Sequence, residues 1–300
     1  MALQDSGMLV SLTITQWSAR KLDKSTSYEV CSTKNAAQGS GSFHKQIIPK
    51  EYLRNINQLV NKIRNFHYAN TLAWNHKGAD LLPSRNYMKY TKRMGALQDK
   101  FNEVVNDFMD HYDTVIKQAV NKLQGLYEEG DYPNADQVRK RFNMQIDMTP
   151  IPSAGDFRID INQKELDKLQ LQLDGRLVEA QAAAEQDLFS RLYTAVAKAV
   201  MALQVPDKIF RNTLILNIEE ICTAIPDMNI NNNTQLNTIA ATLLERMKGL
   251  DIKRLRDEMS YREEITDVFV KRLEVIEALY LGATNEPDTL NTSPEDDASA

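Results

Sequence analysis

Arg85, Tyr87, Lys89, Tyr90, Lys92 and Arg93 crowd nine consecutive positions of the chain. Arginine and lysine neutralise phosphates, and tyrosine rings stack on unpaired bases, so the chemistry on offer is anion capture. In the first turns of a helix such charge opposes the dipole by about 0.3–1 kcal/mol per residue. An anionic partner, a carboxylate elsewhere in the fold or plain solvation must offset that. A second basic group, Arg20, Lys21 and Lys24, follows Trp17. There the indole is expected to pack on the core, and the charges read as part of a structural element.

The acidic counterpart is Glu103, Asp107, Asp110, His111 and Asp113. Asp107 and His111, four apart, could share a metal on one helix face. Helical di-metal sites, however, draw Glu-x-x-His motifs from paired helices, and residues 163–204 contain no histidine. A solvated acidic face is the expectation. His67 and His76 flank Trp74 without a cysteine nearby. GSGSFHK (39–45) lacks the spacing of a phosphate-binding loop and reads as a linker. Cys31 and Cys222 lie far apart and read as two unpaired, reduced thiols. No serine sits in a nucleophile-elbow context. The expectation is no enzyme, with no catalytic residue, cofactor or metal.

Elements must position the basic clusters. Val10, Leu12 and Ile14 alternate with polar residues and predict a strand over 9–16. Residues 18–34 suit a basic helix. Leu53, Ile56, Val60 and Ile63 predict a helix from Pro49 to about His67, and 69–84 reads as irregular, with Ser84 a helix cap. Met94, Leu97, Phe101, Val104, Phe108, Val115, Ala119, Leu123 and Leu126 predict one long helix over 85–128. Leu166, Leu169, Leu173, Leu177, Ala180, Ala184, Leu188, Leu192, Val196, Ala199 and Leu203 predict a second over 163–204. Between them, Asn134 with Gln137 forms a capping-box pattern, and alternation over 142–161 predicts a β-hairpin. Further helices are expected near 209–225, 234–248 and 251–280, the middle one capped by NINNNTQ (229–235).

The fold expected is mostly α with a small antiparallel β-sheet (α+β). The two long helices would form an antiparallel, coiled-coil-like stalk in a single elongated domain, 1–282. Residues 283–300 hold five acids and no lysine or arginine, and a disordered acidic tail is expected there. No stretch approaches eighteen apolar residues, so no membrane span is expected. The start, MALQDSGMLVSL, lacks a basic n-region, and with the reduced thiols this points to the cytoplasm.

LTITQWSARK (12–21), YPNADQVRKRF (132–142), MTPIPSAGDFRI (148–159) and FRNTLILNIEEI (210–221) occur in this order. They resemble an uncharacterised family of phage and proteobacterial proteins, a domain of unknown function, over roughly residues 8–280. The resemblance implies no catalytic residue. In some genomes members are neighbours of a MoxR-type AAA+ ATPase and a von Willebrand type A protein, which implies a partner system. The leading expectation is therefore an interaction or assembly protein, an adaptor for an AAA+ ATPase or a self-associating chain. Single-stranded nucleic acid binding by the basic N-terminal third is the alternative. Charge supports keeping it: the net value of -5 hides 15 Lys/Arg against 6 Asp/Glu in residues 1–100.

Overall fold

Val10, Leu12 and Ile14 do lie on a strand, β1 (Gly7–Thr15), with Val10 fully buried. Residues 6–74, 78–153, 162–205 and 211–284 are described in this computed structural model. Contacts divide the chain into two compact units. One gathers Met1–Leu9, Thr71–Asn86 and Pro150–Ala300; the other gathers Val10–Asn70 and Tyr87–Thr149. The protein is mostly helical with two small sheets, an α+β architecture.

After β1 come β2 (Arg20–Asp23) and helix α1 (Lys24–Thr33), where a single basic helix is expected from sequence. Asp23 explains the switch: its carboxylate accepts from the Thr26 N–H at 2.9 Å and caps α1. β3 (Phe43–Gln46) pairs antiparallel with β2, Lys21 opposite Lys45 and Asp23 opposite Phe43. The segment expected to be a linker thus ends in a strand. α2 (Lys50–Ala69) buries Leu53, Ile56, Val60 and Ile63 as their spacing requires. β4 (Asp80–Pro83) lies in the stretch expected to be irregular. It joins a three-stranded sheet in the order β4-β1-β5, where β5 is Asn143–Pro150. A side chain on Gly7 would place its Cβ 2.7 Å from the Leu82 carbonyl oxygen, so β1 admits only glycine at that point.

The helix expected over 85–128 is broken. A 3-10 turn (Ser84–Asn86) leads into α3 (Tyr87–Asp110), and α4 (Tyr112–Leu123) follows. His111 supplies the reason. Its Nδ1–H donates to the Asp107 carbonyl at 2.7 Å, taking the acceptor its own backbone N–H would use. That N–H bonds Phe108 instead, three residues back. The apolar seam continues across the break through Val105, Phe108, Tyr112, Val115 and Ala119. Val105, not Val104, occupies the seam. Gln124, at φ 44°, turns the chain out of α4 before residue 128 is reached.

α5 (Ala135–Arg139) carries the capping box expected of Asn134 and Gln137. β5 buries Met144 and half-buries Ile146 and Met148, as alternation requires; its sheet partner is β1. The second strand expected for a hairpin, and the AGDFR segment, fall on residues 154–161, outside the described residues. α6 (Gln163–Leu203) runs unbroken, and α7 (Thr213–Met228), α8 (Thr234–Met247), α9 (Ile252–Asp257) and α10 (Met259–Thr284) follow. Asn233 caps α8 by accepting from the Leu236 N–H at 3.0 Å.

Each long helix finds its neighbours within its own unit. α2 packs along α3, while α10 and α7 pack along α6. These neighbours cover the two stripes where they are buried. The reason is that a stripe states only that a face is apolar, and any matching face satisfies it. Arg262 of α10, buried, donates to the carbonyls of Leu203 (2.8 Å), Ala202 (3.0 Å) and Val205 (2.7 Å). It thereby satisfies acceptors that the end of α6 leaves open.

Candidate functional site

The basic group at 85–93 divides. Arg85 belongs to the first unit, on the 3-10 turn, where its guanidinium donates to the Asn232 side-chain oxygen at 2.9 Å and the Pro226 carbonyl at 3.4 Å. It fastens a turn. Tyr90 is completely buried, its hydroxyl 2.7 Å from His67 Nδ1 and its ring stacked on Phe66. It cannot meet a base. Lys89, Lys92 and Arg93 remain exposed on α3, with Tyr87 at 37% exposure. The contact between His67 and Tyr90 ties the end of α2 to the start of α3 and brings Tyr68, 57% exposed, to the same end. Sequence reasoning missed Tyr68, because the eighteen residues 69–86 separate it from Tyr87. Only the packing of α2 on α3 closes that gap, and no spacing within one helix signals it.

The second basic group is divided as well. Arg20 and Lys24 are exposed, whereas Lys21 pairs with Asp131 at 2.5 Å. Trp17 is buried, edge-on to Tyr112, with the Arg141 guanidinium 6.0 Å from the centre of its ring. Trp17 and Lys21 thus serve the packing of this unit.

Lys45, in the segment expected to be a linker, proves to be the centre of a buried charge cluster. Its ammonium lies 2.7 Å from Asp131, 3.4 Å from Asp23 and 3.4 Å from Glu128, and donates to the Leu126 carbonyl at 3.0 Å. Burial alone pulls the Lys45 pKa down, but the carboxylates of Asp131, Asp23 and Glu128 outweigh it and raise it above the ordinary value. Burial likewise pulls Asp131 up, and Lys21 with Lys45 brings it below the usual carboxylate range. Asp23 is held low first by the Thr26 N–H and then by Lys45. The arrangement pins the 3-10 turn Glu129–Asp131 to the β2-β3 pair. Every charge in it faces an opposite charge, so the cluster fastens structure.

The acidic stretch lies along α3 beside a groove lined by Asn55, Gln58, Lys62, Lys100, Glu103 and Asp107, among others. Lys100 pairs with Glu103 at 2.7 Å, and the Asp107 and His111 side chains are largely exposed. Among the described residues, no three metal-ligating side chains converge. His76 lies outside the described residues. Cys31 and Cys222 are buried and unpaired, and burial pushes the Cys222 thiol up to about 12, so it is no thiolate at neutral pH.

A different surface lies on α6. From Gln163 to Glu179 no residue is buried. Leu166, Leu169, Leu173 and Leu177 keep their helical spacing but are only half-covered, while Leu171 and Val178 are 76% and 65% exposed. From Ala180 onward the same helix enters the core. Among the described residues, no helix is long and apolar enough to cross a membrane.

A family model described as "Protein of unknown function (DUF3150)" matches residues 4–209. No curated protein and no solved structure matches the chain.

Proposed function

Because the chain belongs to the DUF3150 family, whose description assigns no activity, we propose a function from its surface: a non-enzymatic interaction or assembly protein. One observation carries this reading. The first seventeen residues of α6 present a leucine seam with no buried member, continuous with a half whose apolar face is buried from Ala180 to Leu203. A half-covered seam at 3-4 spacing fits an amphipathic helix of a partner, because docking removes leucine surface from water at about 25 cal/mol per Å². The resemblance to phage and proteobacterial proteins encoded beside MoxR-type ATPases supports a finer form, a cytoplasmic adaptor for an AAA+ ATPase system.

The test is affinity purification of the tagged full-length protein, alongside the double variant Leu169→Glu with Leu173→Glu. Both positions lie outside the packed core, so circular dichroism should match the parent. An AAA+ ATPase recovered with the parent and lost with the variant supports the adaptor. Light scattering that shows an oligomer dissolved by the variant makes the seam a self-assembly surface. A monomer without partner, or a complex indifferent to the variant, overturns the reading.

A further inference from the structure

We propose that Gln163–Glu179 of α6 pairs antiparallel with the same segment of a second copy of this chain. The proposal rests on the seam being an interaction surface and names what occupies it. At about 100° per residue, Leu166, Leu169, Leu173 and Leu177 fall within about 80° of the helix circumference, and none is buried. Glu165 and Arg176, both exposed, flank this arc on one edge. Gln163 and Gln170 flank it on the other. Leu171 and Val178, the most exposed apolar residues of the segment, lie on the far side and take no part.

The order of these residues is its own complement when reversed. With a two-fold axis at the level of Leu171, perpendicular to the helix, Leu166 meets the partner's Leu177 and Leu169 meets the partner's Leu173. Each match is within about one residue rise of 1.5 Å. Symmetry repeats both contacts and gives four leucine layers. An antiparallel two-fold also sets like edges against each other, so Glu165 faces the partner's Arg176, and Arg176 the partner's Glu165. A parallel pair would turn that edge toward the glutamines and lose both attractions. Glu165 already holds Lys168 at 3.0 Å, but that pair is exposed, and a carboxylate accepts from more than one cation.

Length agrees with the same arrangement. Ala180, where the stripe enters the core of its own unit, comes level with the partner's Asn162, the cap at which that helix begins. The packed half of each copy thus starts where the other's helix has ended. Leu177 already touches the core of its unit, so the partner's Leu166 extends that core by one layer. Four layers make a small interface, and a reversible dimer at about micromolar concentration is expected.

Sedimentation equilibrium of the full chain, from about 1 to 100 micromolar, measures the dimer. Leu169→Glu with Leu173→Glu should leave only monomer. Glu165→Arg should weaken the dimer about tenfold, since two attractions become two repulsions, and so should Arg176→Glu. An equimolar mixture of these two charge variants should dimerise at least as tightly as the parent, because every edge contact between them is again attractive. Recovery on mixing also shows that both variants are folded, and circular dichroism checks the leucine variant. A parent that stays monomeric overturns the proposal; a different protein recovered with that monomer and lost with the leucine variant would leave the seam an interaction surface with another occupant. A dimer indifferent to the leucine variant overturns both readings. A leucine-dependent dimer without recovery in the mixture overturns the antiparallel pairing.

Discussion

Lys45 shows what a single residue can hold together. Its side chain is almost wholly buried, yet it is charged and surrounded by three carboxylates and a carbonyl. Removing one partner of a buried pair leaves the other uncompensated, at a cost of about 3–5 kcal/mol. Lys45→Met is therefore expected to lower the urea midpoint markedly at pH 7. The pH dependence follows from the directions of the shifts. Asp131 is depressed in the folded protein, so its contribution is complete above about pH 4 and is lost as pH falls through the folded value. Lys45 is raised, so its contribution is complete below its ordinary value and is lost only as pH rises past the folded one. Stability measured against pH should decline below about pH 4 in the parent and decline less in Asp131→Asn. An identical acid limb in both would show that the cluster does not couple to folding. None of this is legible in the sequence. A lysine after GSGSFH looks solvated, because its burial depends on Glu128 and Asp131, far along the chain.

At the scale of the element, apolar periodicity locates most helices, and caps locate several starts. Asn134 with Gln137 and Asn233 perform as their types require. The break at His111 escapes periodicity because it rests on a side chain bonding to its own helix, which leaves the apolar seam intact. α6 gives the sharper test. Gly175 is exposed in the half of α6 that has no buried residue, and an added Cβ there meets nothing within 4 Å. Gly175→Ala should stabilise the helix by about 1 kcal/mol. In a segment with no buried residue, local opening governs amide exchange, so protection across Gln163–Glu179 should rise about fivefold. Unchanged exchange would mean that this half already has cover.

At the scale of the molecule, charge follows the two units. Val10–Asn70 with Tyr87–Thr149 holds 18 Lys/Arg and 13 Asp/Glu, against 18 and 28 in the rest. The acidic excess includes five carboxylates in residues 285–300. The sequence by itself determined the mostly helical class, the long α6 and the polarity of charge, because these depend on residue type and local period. Tertiary structure alone decided which cations stay exposed, which tyrosines face solvent and which faces cover one another. Those outcomes depend on what lies across the fold, and the same apolar stripe or charged side chain serves equally well in core, clamp or surface.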